Sequence, residues 1–119
     1  GGTALLYGTK ALDKVKGENK DQDVGVDIVR RALRSPSRII VENAGVDGSL
    51  VIGKLLEQKS ATQGFDAQNE EYTDMVKAGI IDPAKVVRTA LENASSAASM
   101  MLTVGCTMVD EDQAEFHQL

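Results

Sequence analysis

GIIDPAKVVRTALENASSAAS, residues 79–99, is the longest apolar-periodic run in the chain and decides its fold class. Val87, Ala90, Leu91, Ala94, Ala97, Ala98 and Met101 recur at spacings of three and four, the signature of a helix with one apolar face. Asp82-Pro83 directly before it reads as a helix start. Aspartate accepts hydrogen bonds from first-turn amides, and proline at the first helical position has no amide to satisfy. The spacing predicts a helix over 83–102 with that face buried. Its small middle, ASSAAS at 94–99, allows close approach of a neighbouring helix. The same carboxylate has a second conceivable use, as a ligand contact, and the local residues leave both open.

The segments upstream have a similar vocabulary. TALLYGTKALDKV at 3–15 places Leu5, Leu12 and Val15 at helical spacing, and the polar KGENKDQD at 16–23 reads as a connection. VGVDIVRRALRS at 24–35 predicts a second helix, stopped by Ser35-Pro36 because the residue before proline avoids the α region. A short third helix is expected at 37–43, with Gly45 as its stop. A fourth starts near Asp47 to Ser49, with Leu50, Val51, Leu55 and Leu56 as its stripe. Residues 59–68 lack periodicity and predict a loop or short hairpin. EYTDMVKAG at 71–79 predicts a helical turn closed by Gly79, and CTMV at 106–109 a short strand with no evident partner. The expected architecture is mainly α with minor β.

Composition narrows the function classes. With 3% aromatic residues and no Trp, the core must be built from aliphatic residues and Met. Thirteen basic against 18 acidic residues, net charge −5, argue against nucleic acid as a main partner, since phosphate neutralisation needs a basic face. No apolar run approaches the roughly 18 residues that span a bilayer, and the start carries no secretory signal pattern. The single Cys106 excludes an internal disulfide framework or zinc cluster and suits a reducing compartment. His117, the sole histidine, sits near the end, a poor mount for a catalytic relay. VDGS at 46–49 lacks the lysine and glycine spacing of a phosphate loop and reads as a helix start. Glu70 and Glu71 read as a solvated face, and Met100-Met101 as helix packing. Gly1-Gly2 before a helix permits close backbone approach by a nucleotide, but a glycine pair alone has little weight. The abrupt glycine start reads as a piece of something longer. From local features alone, the chain is a helical segment with anion-compatible helix starts.

Six stretches, in order, resemble the C-terminal part of a group I chaperonin, the GroEL and mitochondrial 60-kDa heat-shock chaperonin family. They are GGTALL (1–6), DQDVGVDIVRRAL (21–33), IIVENAGVDGSLVIGKL (39–55), QGFDA (63–67), EEYTDM (70–75) and GIIDPAKVVRTALENASSAAS (79–99). The resemblance covers residues 1–109 and implies the C-terminal portion of an equatorial, ATP-binding domain. It implies a parent that assists protein folding in heptameric rings, with ATP or ADP and magnesium, a co-chaperonin, and non-native client proteins. NAGVDGSLVIGKL and GIIDPAKVVRTAL look more like the mitochondrial branch, implying the mitochondrial matrix, with the bacterial cytoplasm as the alternative. CTMV resembles a strand that family members pair with the chain's N-terminal strand and a neighbouring subunit's hairpin.

The resemblance also carries site residues. Gly1 and Gly2 resemble the glycine-rich start of a helix beside the nucleotide. Asp66 and Ala67 match a pair near the adenine, where Gln68 departs from the usual small residue. Ile80 resembles an apolar residue packed on the base, and Asp82 the carboxylate that accepts hydrogen bonds from the ribose hydroxyls. The family's phosphate loop, magnesium-binding aspartate and water-positioning aspartate have no counterpart in these residues, so no catalytic or metal-binding residue is expected here. The piece by itself is expected neither to hydrolyse ATP nor to bind nucleotide tightly. Its apical surfaces for clients and co-chaperonin are likewise absent, and DEDQAEFHQL at 110–119 resembles no typical family end, implying a divergent or disordered tail. The alternative is a free-standing helical interaction module that binds no nucleotide. Exposed apolar helix faces lead to an expectation of self-association or partial unfolding in isolation.

Overall fold

The computed structural model describes residues 1–106 and 108. The elements are α1 (Thr3–Leu12), α2 (Lys20–Asn43), α3 (Gly48–Glu57), β1 (Gln63–Asp66), β2 (Glu71–Asp74) and α4 (Ala84–Thr103). The chain is mainly helical with one antiparallel hairpin, as the residue pattern predicts. It divides into two compact units, Gly1–Pro83 and Ala84–Leu119. The strand expected at 106–109 depends on Thr107 and Val109, which lie outside the described residues; Cys106 and Met108 carry no regular structure. The tail 110–119 also lies outside them.

In the first unit, α1 and α3 both pack on α2. Leu6, Val41, Val51, Ile52 and Leu55 form the buried cluster, flanked by the half-buried Tyr7, Val46, Leu56 and Phe65. Each such aliphatic side chain contributes about 1.5–3 kcal/mol on full burial. The stripe of α3 therefore runs through Val51, Ile52 and Leu55. Leu50, expected on that stripe, is 56% exposed. Asp47 fixes the rotation, because its carboxylate caps the Leu50 amide at 3.2 Å and turns Leu50 toward solvent.

The largest departure from the sequence reading is in α2. Two helices broken at Pro36 were expected, and a single helix of 24 residues contains it. Proline inside a helix removes one hydrogen bond and crowds the preceding turn, at a cost of about 3 kcal/mol. Tertiary contacts hold the chain helical on both sides. Before Pro36, Arg30 donates to the Leu12 carbonyl at 3.2 Å and pairs with Asp13 at 3.5 Å, tying α2 to the end of α1. After it, Ser37 and Val41 are buried. The helix also starts four residues earlier than expected. The Asn19 side chain accepts from the Gln22 amide at 2.9 Å while Gln22 accepts from the Glu18 amide at 2.6 Å. These two side-chain caps recruit part of the polar connection into the helix, and Asp21 and Asp23 in the first turn suit its positive end.

EYTD, expected to open a helical turn, is instead strand β2. It pairs with β1 in the register Gln63↔Asp74, Gly64↔Thr73, Phe65↔Tyr72 and Asp66↔Glu71. The Phe65 and Tyr72 rings meet edge to face, 5.2 Å between centroids, a cross-strand contact that favours pairing over an isolated helical turn. The helical turn comes directly after, where Asp74 accepts from the Val76 and Lys77 amides, both at 3.1 Å, and from the Thr62 hydroxyl at 2.9 Å. Gly79, at φ 74°, closes it as expected.

The second unit contains α4, whose start and end fall within a residue of the predicted bounds. Its face is not buried: Val87 is half-buried, and Leu91, Met100 and Met101 are 45%, 68% and 68% exposed.

Candidate functional site

The glycine pair at the start of α1 is held by α2. Gly2 is left-handed, at φ 80° and ψ −4°, and no side chain caps the first turn of α1. Its carbonyl accepts from the Leu6 amide at 2.9 Å, so the helix is closed from its first residue. A Cβ at Gly2 would stand 2.7 Å from both the Ser37 amide nitrogen and its Oγ, and 3.2 Å from the Pro36 carbonyl carbon. Only glycine fits there. The Ser37 hydroxyl donates to the Gly1 carbonyl at 3.3 Å.

The same helix start abuts the hairpin. A Cβ at Gly64 would meet Met75 and come within 3.2 Å of Thr3 Oγ1, so the first residue of α1, the middle of β1 and Met75 pack without room between them. The Met75 amide donates to the Thr62 carbonyl at 2.8 Å, and its carbonyl accepts from the Ile80 amide at 2.9 Å. Gly1, Gly2, the 63–66 strand and the turn ending at Ile80 thus form one neighbourhood. Ile80 is half-buried, and Asp82 stands exposed two residues beyond.

Asp66 is 8% exposed, and its carboxylate is committed to the hairpin turn. One oxygen accepts from the Gln68 and Asn69 amides at 3.0 and 3.2 Å; the other accepts from the Asn69 side chain at 2.8 Å. These bonds, the Asn69 side chain foremost, hold its carboxyl below the usual aspartate range. Ala67 is half-buried, Gln68 is exposed, and Glu70 closes the turn at φ 54°, unusual for a residue with a side chain. Sequence reasoning missed Ser37, Thr3, Asn69 and Met75, which hold the candidate residues in place. The Asp-x-x-Asn spacing at 66–69 was the legible signal for one of them.

A separate cleft of about 360 Å³ is lined by Lys54, Gln58, Gln63 and Tyr72. Tyr7 donates to the Gln63 carbonyl and accepts from the Gln58 amide beneath it, and burial pushes its phenol up. None of the residues named from the sequence lines this cleft. Among the described residues, no three His, Cys, Asp or Glu side chains converge as a metal site.

Comparison with known proteins assigns the fold. The chain superposes on a group III chaperonin in its open state with a TM-score of 0.76, at 31% identity over 91% of its own length. It spans 23% of that chaperonin chain. Its helices and hairpin are those of a chaperonin equatorial-domain segment. Residues 1–112 match the TCP-1/cpn60 chaperonin family, and the chain belongs to that family.

Proposed function

We propose that these residues are part of an ATP-dependent chaperonin subunit that assists protein folding in a ring, and that they supply the adenosine side of its nucleotide site. The observation that supports this most is the neighbourhood joining Gly1 and Gly2 to the hairpin and to the turn at Ile80. It gathers residues from both ends of the first unit, and family membership supports reading a nucleotide as its ligand. In this reading Gly1 and Gly2 bring main chain beside the nucleotide, Ala67 and Gln68 line the base, Ile80 packs on it and Asp82 accepts from the ribose. ATP supplies the phosphoryl chemistry elsewhere in the subunit, with magnesium, and no step of hydrolysis runs through the residues described. The sequence resemblance favours group I, heptameric rings, a co-chaperonin and the mitochondrial matrix.

The test is sedimentation and client refolding by the subunit containing these residues. A ring that refolds a denatured enzyme only with ATP is expected. A subunit that stays monomeric and refolds nothing with ATP overturns the proposal.

A further inference from the structure

Within that reading, we infer that Asp66 is a positioning residue for the base-side turn and does not itself touch the nucleotide. An aspartate beside an adenine invites the simpler view that its carboxylate accepts from the exocyclic amine. The geometry points elsewhere. Both oxygens are already occupied by three donors from residues 68 and 69, and the residue is 8% exposed. The parts of the turn that face outward are Gln68, Asn69 and Glu70, with Ala67 half-buried behind them.

A carboxylate that collects two successive amides fixes the turn's backbone, and the Asn69 side chain adds a second tether. The turn needs such fixing. Its last residue, Glu70, sits in the left-handed region without being glycine, a conformation that persists only when its surroundings over-determine it. The 66–69 tether is what over-determines it. A ligand at this turn is met by the main chain of Ala67 and Gln68, held at a fixed height by Asp66 and Asn69. Gln68 keeps its place in the turn through its amide nitrogen, so its departure from a small side chain leaves the cap intact. The acidic neighbours on the hairpin are Glu70 and Glu71, and the shift at Asp66 arises from hydrogen bonds without a neighbouring cation.

The experiment compares wild type, Asp66→Ala, Asp66→Asn, Asn69→Ala and the Asp66→Ala/Asn69→Ala pair in the full subunit. Binding of ATP and of inosine triphosphate, which lacks the amine, is measured for each. Loosening a preorganised turn is expected to weaken ATP on the order of tenfold in Asp66→Ala. Asp66→Asn keeps one acceptor oxygen and recovers part of that loss. The double variant is no worse than the worse single variant, because both remove the same tether. The ratio of ATP to inosine triphosphate affinity stays at the wild-type value throughout. A ratio that collapses in Asp66→Ala shows direct contact with the amine and overturns the inference, as do additive losses in the pair. Wild-type ATP affinity that Asp66→Ala leaves intact overturns the positioning role alone. A wild-type subunit with no ATP affinity overturns this role together with the nucleotide reading.

Discussion

Replacing Gly2 by alanine tests the packing that joins α1 to α2. Two effects act on the added methyl group. At φ 80° an L-residue is strained by about 1–2 kcal/mol. The methyl would also lie 2.7 Å from the Ser37 nitrogen and Oγ, and the nitrogen belongs to the backbone of a buried residue inside α2, which has little room to retreat. Overpacking of this kind costs about 1–3 kcal/mol. The expected loss is therefore about 2–5 kcal/mol, a large part of a small domain's stability. Gly25→Ala is the matched control. Gly25 lies inside the same α2, a Cβ there meets nothing within 4 Å, and the change should stabilise by about 0.5–1 kcal/mol. Urea denaturation followed by circular dichroism at 222 nm reads both variants. Equal midpoints for Gly2→Ala and wild type, or a higher one for Gly2→Ala, would refute the account of how α1 is seated.

Other consequences follow from the core and the hairpin. Leu6 is fully buried among Val41, Val51, Ile52 and Leu55, so Leu6→Ala should cost about 2–5 kcal/mol in the same denaturation experiment. The amides of Lys77 and Val76 and the Thr62 hydroxyl hold the Asp74 carboxyl below its ordinary value. A depressed carboxyl stabilises the fold fully above its unfolded pKa, and that contribution fades as pH falls through the lower, folded value. The 74–79 turn should then stay ordered down through about pH 4 and loosen only below it, which amide chemical shifts of Val76 and Lys77 would report. Loosening that begins above that pH would contradict the assigned hydrogen bonds.

The sequence was most legible where local signals and tertiary packing agree. Asp47 before an aliphatic run marks α3, and Gly79 marks the close of a turn. It was least legible where packing overrides a local rule. Pro36 reads as a helix end, and nothing in the residues beside it announces that Arg30 and Val41 will pin both flanks of one helix. EYTD reads as a helical turn until Phe65 is known to lie across from Tyr72. The apolar stripe of α4 was read correctly as a helix face, but within its own unit that face stands exposed and not buried. At the candidate site, resemblance named Gly2 and Asp66, while their physical settings were invisible in one dimension. The contact between Gly2 and Ser37 spans 35 positions, and Asp66 spends its carboxylate on its own turn.

The central claim is that these residues hold the adenosine half of a nucleotide, and Asp82, an exposed carboxylate, is the residue it assigns to the ribose. The direct measurement is binding of ATP and 2′-deoxy-ATP to the full subunit, wild type and Asp82→Ala. A hydrogen bond to a charged acceptor contributes about 1.5–3 kcal/mol, on the order of tenfold or more in affinity. Wild type is expected to lose that much on removal of the ribose hydroxyl, and Asp82→Ala to bind both nucleotides equally and more weakly. A wild-type subunit indifferent to the hydroxyl, or an Asp82→Ala variant that still prefers ATP, would contradict the account.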